Sequence, residues 1–430
     1  MGGELPRRVA SRSYTSAVVD RIAAASDALD RGDLESAEQL GRAALAEGNP
    51  LSARLILAQA LAWQGRGRDA DAVLAEVDPS RLSETDLLSW ALPRAANQFW
   101  MLDEPERATA FLRATRARVA TAPAGATIDA LLGTFAMNAG SPARAMEISG
   151  RVLASPDADD QAVGWAAAAA ALCHARMGSF VDVDDLAMRA VAAGHPGLLR
   201  FTGAFGQTTA AVLDGDLDRA QELADGLVGA ADPGPSRAIG EVLVADVLLW
   251  RGDADGAVSL LEDAAATLAP TGYSWGPLAW MSLAYGLGQL GRTADAGRML
   301  ARAEARHGLK SMLFAPELSL ARAWTAAARR DVHGAIDAAR EAARAAERGG
   351  QSAVALRALL DAVRLGDVRA GDGIARLGVD CVVGRLTLDY GRALAARDAS
   401  GLSAASAAFA GVGMNGVAAD AARQAEVARR

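Results

Sequence analysis

The chain has 430 residues, a formal net charge of −8 at pH 7, and 51% hydrophobic but only 5% aromatic residues. It is too long for one ordinary core, so it holds two or three domains or an elongated repeat array, and an apolar content dominated by alanine favours closely packed helices over strands. Basic residues are scattered singly and the balance is acidic, which excludes the electrostatic footprint of a nucleic-acid-binding surface.

The first residues, MGGELPRRVASRS, contain no apolar core of signal-peptide length, and no later run escapes Arg, Asp or Gly for about 18 positions. Residues 1–14 are read as a disordered or appended N-terminus, and the protein as soluble and cytoplasmic. From residue 15 onward one turn recurs: a Gly, a few polar residues, then an Ala opening an amphipathic helix. It ends at Ala37, Ala70, Ala108, Ala145, Ala220, Ala257, Ala296 and Ala335, with spacings of 33, 38, 37, 75, 37, 39 and 39. The 75 is two units, with a weaker turn, MGSFVDVDD, at 177–185 between them. In each unit a first helix ends at a Gly able to adopt a left-handed conformation. An Asp, Ser or Thr then caps a second helix, and the Ala marks where two helices touch.

First helices are predicted over 51–64, 84–101, 160–177, 236–251, 275–290 and 311–329, from apolar residues at i, i+3, i+4, i+7 spacing. In GWAAAAAAL, 164–172, the near-pure alanine predicts close approach of neighbouring helices. Breaks are placed at TAPAG (121–125), SPDAD (155–159), GHPGL (194–198), ADPGPS (231–236) and APTGYSWG (269–276). The expected fold is all-α: a right-handed α-solenoid of 10–11 helical hairpins, forming a single array over 15–430 whose stacked repeats bury a core that none could bury alone. The unit resembles the tetratricopeptide repeat in its Gly-then-Ala pattern. It departs in length, about 37–39 residues against 34, and in lacking that family's aromatic and proline positions.

No phosphate-binding loop, HExxH, GxSxG or CxxC is found, and HGLKS at 307–311 lacks the glycines that would cradle a phosphate. Cys173 and Cys381 lie far apart in apolar helical contexts and read as buried reduced thiols. His174, His195, His307 and His333 fall in different repeats without ligand spacing, and the acidic pairs Asp159–Asp160 and Asp184–Asp185 face helix dipoles. The chain is therefore read as a non-enzyme, with no catalytic residue, no metal and no cofactor of its own.

The few aromatic residues cluster beside amide and carboxylate groups. Asn97, Gln98, Phe99 and Trp100 end one first helix, and Phe201, Phe205, Gln207 and Thr208 share another. Tyr273, Ser274, Trp275, Trp280 and Tyr285 open a third, with Phe314 and Glu317 following. First helices line the concave side of such solenoids, so these faces can pack between repeats or form a small-molecule or sugar pocket. The candidate ligand-binding set is Phe201, Phe205, Gln207, Glu241, Tyr273, Trp275, Trp280, Tyr285, Phe314 and Glu317.

The C-terminal stretch carries a more specific likeness. Tyr390, Arg392-Ala393-Leu394 and Arg397-Asp398, followed by Phe409, Gly413-Met414, Ala418-Ala419-Asp420-Ala421-Ala422 and Gln424-Ala425, resemble the close of the helical-repeat region in MalT-like large ATP-dependent LuxR-family transcriptional regulators of the signal-transducing ATPase class. The resemblance implies a closing hairpin over 387–411 and an exit helix over 415–430. It also implies a sensor that binds a small inducer such as a sugar and relays it to ATPase and helix-turn-helix modules. ATP would bind only in an N-terminal module absent from this chain, and contact with nucleic acid or membrane is not expected, whereas ligand-dependent self-association is. On this expectation the end at Arg430 falls between a sensor and the DNA-binding domain it controls. The alternative is a stand-alone helical-repeat scaffold for a peptide or protein partner.

Overall fold

The structure, a computed structural model, describes residues 6–48, 50–194, 200–231 and 234–430, with side chains from Ser16 onward. Among these residues there is no strand. His195, most of the 194–198 loop and part of the 231–236 loop lie outside the described residues, as does part of the 1–14 segment.

The helices come in consecutive pairs. The first are α1 (Pro6–Asp30) with α2 (Leu34–Gly48), α3 (Leu51–Trp63) with α4 (Gly67–Ala75), α5 (Glu84–Ala96) with α6 (Pro105–Arg116), and α7 (Ala122–Asn138) with α8 (Pro142–Ala154). Then follow α9 (Asp160–Met177) with α10 (Val183–Ala192), α11 (Phe201–Leu213) with α12 (Leu217–Gly229), and α13 (Pro235–Arg251) with α14 (Ala254–Leu268). The last pairs are α15 (Trp275–Gln289) with α16 (Thr293–Arg306), α17 (Ala315–Ala328) with α18 (Val332–Arg348), α19 (Ser352–Arg364) with α20 (Ala370–Leu377), and α21 (Val382–Ala396) with α22 (Ala399–Gly411). A single helix, α23 (Asn415–Ala428), follows them. The segment read as a closing hairpin, 387–411, holds the later part of α21 and all of α22, and the one read as an exit helix holds α23.

The recurring turn sets this pairing. All eight of its alanines are at most 1% exposed, and each is the fourth residue of its second helix. At that position the second helix lies against the first, and no larger side chain fits without pushing them apart. Asp216, Asp253 and Asp331 cap their helices by accepting a backbone N–H from Arg219, Gly256 and Gly334. The alanine run of α9 behaves as its composition implies: Ala166–Ala171 are all buried, and a Cβ at Gly206 of α11 would stand 2.8 Å from the Ala171 carbonyl.

Two predicted first helices are interrupted. The segment 84–101 is α-helical only to Ala96 and continues as a π-helical turn over Asn97–Met101, in which the Leu102 N–H reaches the Asn97 carbonyl at 3.0 Å. Pro93, inside α5, lacks the N–H that an unbroken ladder needs. The segment 311–329 opens as a 3-10 turn over Leu309–Phe314, and the α-helix proper starts at Ala315 with Pro316 in its first turn, where a missing N–H costs nothing.

The contacts group the helices into two compact units. Unit 1 holds residues 1–128 with 270–272, and unit 2 holds 129–269 with 273–430. In unit 1 the π-helical turn buries Asn97, Gln98, Phe99 and Trp100. Gln98 and Arg94 both donate to Asp71 at 3.1 Å, and Arg107 donates to its other oxygen at 2.9 Å. Burial acts to raise the pKa of Asp71, but these donors outweigh it and hold the carboxyl below the ordinary range.

Unit 2 contains a continuous apolar core running from Met137 to Ala425. Besides neighbours in sequence, helices ten places apart touch: α9 with α19, α11 with α21, and α13 with α23. Five hairpins therefore bring the array round onto itself, and the later first helices cover the inner face of the earlier ones. The glycines that end α11 and α13 serve this return as well as the local turn. Both have positive φ, 82° and 88°. A Cβ at Gly215 would meet the Val382 side chain at 3.1 Å, and one at Gly252 would lie 2.3 Å from the Gly416 nitrogen.

Glycine spacing gives a paired test of this packing. A Cβ at Gly288 would fall 2.7 Å from the Trp324 carbonyl carbon, whereas Gly226, on the exposed side of α12, faces open space. Gly288→Ala is expected to lower stability by about 1–3 kcal/mol through overpacking. Gly226→Ala should raise it by about 0.5–1 kcal/mol through helix propensity. Urea unfolding midpoints check both signs, and equal effects at the two sites would contradict the close approach of α15 and α17.

Candidate ligand site on the inner face of unit 2

Most of the aromatic cluster is spent on packing. Phe201, Phe205, Trp275, Trp280, Tyr285 and Phe314 are all less than 8% exposed. The Phe205 ring sits 5.6 Å from Trp275 and 6.3 Å from Phe314, both tilted. Arg200 covers Phe201 and Arg302 covers Trp280, each guanidinium 4.9 Å from the ring centroid. Tyr273 is half-buried, and burial raises its phenol pKa. Gln207 donates to Asp184 at 3.0 Å, and Glu241 accepts from Arg237 at 3.1 Å, one turn away on α13.

Three members of the expected set do converge. Phe205, Tyr285 and Glu317 line a cavity of about 20 Å³ together with Asp246, Ser282, Arg357 and apolar side chains of α13, α15 and α17. That volume holds one water-sized molecule. The lining comes from five successive first helices, α11, α13, α15, α17 and α19. Among the described residues, Glu317 Oε2 is buried yet accepts no hydrogen bond, while its Oε1 is held 2.7 Å from Arg176 Nη2.

A chain of buried and half-buried polar contacts runs from this cavity. Arg357 Nη1 donates to Asp246 Oδ1 at 2.8 Å, joining α19 to α13, and its guanidinium lies 4.8 Å from the Trp250 ring centroid and 5.4 Å from that of Tyr285. The Tyr285 hydroxyl donates to Asp361 Oδ2 at 3.0 Å, joining α15 to α19. Arg364 donates to Asp361 at 2.9 Å and to Asp420 on α23 at 2.7 Å, and Arg423 also donates to Asp420. Farther along, Arg176 of α9 donates to the Gln351 side chain and, at 2.9 Å, to the Leu313 carbonyl.

Protonation states follow from these partners. Burial, and then the Asp361 carboxylate, push the Tyr285 phenol above its ordinary value, so it remains a donor. Burial works against the charge of Arg357 and Arg364, but Asp246 beside the first and Asp420 beside the second outweigh it, and both guanidiniums are held in the charged form. Cys173 is pushed up to about 12 by burial, against a smaller opposing effect of Arg176, and stays an inert thiol. Among the described residues no group of three His, Cys, Asp or Glu side chains is arranged to hold a metal ion, and no helix is long and apolar enough to cross a membrane.

Asp246, Ser282, Arg357, Asp361, Arg364 and Asp420 were not anticipated from the sequence. A signal was available in RALLDAVR, where Arg357, Asp361 and Arg364 recur at i, i+4, i+7, the spacing of a buried stripe but carried by charges.

No family model matches the chain, and no curated protein matches it. Among solved structures it is similar to a Rap protein complexed with Competence and Sporulation Factor, at 13% identity and TM-score 0.49, over 80% of this chain and 98% of that one. It is similar to a tetratricopeptide repeat protein from Parabacteroides merdae, at 16% identity and TM-score 0.40, over 59% and 93%. A signal transduction ATPase with numerous domains and a tetratricopeptide repeat sensor, from Pyrococcus horikoshii, is similar at 13% identity and TM-score 0.41, over 84% of this chain and 53% of that one. The chain itself is an array of tetratricopeptide-like helical hairpins, and the reading of its site rests on its own side chains.

Removing the Tyr285 hydroxyl takes one donor from a buried carboxylate while leaving the ring in place. Tyr285→Phe is expected to lower unfolding free energy by about 1.5–3 kcal/mol, the range for hydrogen bonds to charged groups. Chemical denaturation followed by circular dichroism measures it, and an unchanged midpoint would show that Asp361 draws nothing from Tyr285.

Proposed function

We propose that this chain is a ligand-sensing helical-repeat module that binds a small polar metabolite, sugars included, on the inner face of unit 2. The observation that carries the reading is the meeting of Asp246, Ser282, Tyr285, Glu317 and Arg357 from four helices on one small cavity, with Glu317 Oε2 left without a donor. Carboxylate acceptors beside aromatic rings suit a ligand carrying hydroxyl or amino donors. A buried acceptor without a partner costs about 1–3 kcal/mol, which a ligand donor would recover. Because the cavity as it stands holds only a water-sized molecule, a metabolite enters as the surrounding helices part.

The likeness of residues 387–426 to the end of the repeat region in MalT-like LuxR-family regulators supports placing the module in a larger cytoplasmic regulator, where ligand occupancy would be relayed to ATPase and DNA-binding modules. A scaffold reading is favoured at one place, the outer face of α10, where Met188 and Val191, with Val181 just before the helix, are exposed apolar residues. A scaffold of that kind would show no response to metabolites.

A thermal-shift screen against sugars and other metabolites tests the proposal, since a binder at a hundredfold excess over Kd adds about 2.7 kcal/mol to the folded state. For a hit, isothermal titration should show at least a tenfold loss of affinity in Glu317→Gln and none in Gln207→Ala. A hit bound equally well by Glu317→Gln and by Ser282→Leu, which fills the cavity, would remove the ligand from this site.

A further inference from the structure

We propose that helices α19 to α23 form a polar latch that closes unit 2 over its own inner face, and that its release exposes the ligand cavity. The latch deepens the reading of that cavity and rests on it for what enters, but it can be tested with no ligand at all. Polar crossings of its seam include Arg357 of α19 on Asp246 of α13, Asp361 of α19 under the Tyr285 hydroxyl of α15, and Gln351, just before α19, on Arg176 of α9; at its hinge end Arg340 of α18 holds Asp367, just past α19. Where α13 meets α23 the backbones of Gly252 and Gly416 come together.

On the far side of the seam the pieces are tied to one another. Arg364 binds Asp420, and the Gln424 amide donates to the carbonyls of Val363 and Arg364 at 3.0 and 3.1 Å. Helices α19 and α23 are thereby joined and would leave the seam together.

The chemistry of the seam is what separates a latch from a permanent joint. A seam of packed leucines exposes apolar surface when it parts, and water returns nothing for it. Paired charges, by contrast, gain little over apolar packing while buried, because desolvation offsets their attraction, and they recover their hydration on opening. Apolar contacts also cross the seam, with Val382 and Val412 beside Gly215, and the polar crossings lower the cost of opening below that of a wholly apolar seam. Asp246, Tyr285 and Arg357 belong both to the seam and to the cavity lining, so a ligand donating to Asp246 engages a group that holds the latch. It then shifts the equilibrium by its differential affinity for the two forms.

Native-state hydrogen exchange on the unmodified chain is the first test. Amides of α19 and α23, and those of α13 that face them, should exchange through a partial opening at least tenfold faster than amides of α14 and α16, which pack on α13, α15 and α17. In Arg357→Met the difference should widen about tenfold, with helix content by circular dichroism unchanged and a larger radius of gyration by small-angle scattering. The double variant Asp246→Leu, Arg357→Met replaces the ion pair with apolar volume and should restore slow exchange at α19. If α19–α23 of the unmodified chain exchange only at the rate of global unfolding, or if Arg357→Met accelerates α14 and α16 as much as α19, the segment is a fixed part of the core and the latch is wrong. That first measurement needs no variant, so it stands even if Arg357→Met does not fold.

Discussion

At Gly288 an added methyl group would lie 2.8 Å from the Trp324 carbonyl oxygen, and at Gly206 the same distance from that of Ala171. Helices this close leave room for Ala and Gly and little else, and the rest of the architecture depends on that spacing. It allows a chain poor in aromatic residues to bury a continuous core, because tight packing of small side chains gains in dispersion contacts what it lacks in area. It also fixes the small rotation from one hairpin to the next. Accumulated over five hairpins, that rotation brings α19, α21 and α23 onto α9, α11 and α13.

The local rules of this fold were legible in the sequence because they are written at short range. The Gly that ends a first helix, the Asp that caps a second and the Ala where the two touch all fall within a few residues, and the eight alanines selected by spacing alone are all buried. Both interrupted helices involve proline, Pro93 and Pro316, whose missing N–H the apolar periodicity does not register. The candidate site was less legible. The aromatic clusters lie on first helices, and Phe205, Tyr285 and Glu317 line a cavity. Trp275, Trp280 and Phe314 turned inward to pack, since an aromatic ring on a first helix serves an inter-repeat contact as readily as a pocket.

The unanticipated part has a physical reason. Periodicity tells which residues share a face of one helix, but it does not tell which helix will arrive there ten places later. Asp246 and Arg357 are 111 positions apart, and their meeting is set by the sum of many inter-hairpin angles, each invisible in its own repeat. Within α19 the charges at 357, 361 and 364 sat where an apolar stripe belongs, and that conflict between helical period and side-chain type was the only local trace of a polar interior.

The five-hairpin return also bears on how this protein can change over time. Repeat arrays commonly lengthen or shorten by single units, since each unit needs only its immediate neighbours. Here a hairpin gained or lost between α13 and α19 would bring another face of another helix opposite Asp246 and leave its carboxylate without Arg357, while Gly252 would confront a residue other than Gly416. Unit 2 is thus counted as well as stacked. Its sequence can drift and its outer loops can grow, but the number of hairpins between the two halves of the seam is held fixed by the pairs that must meet.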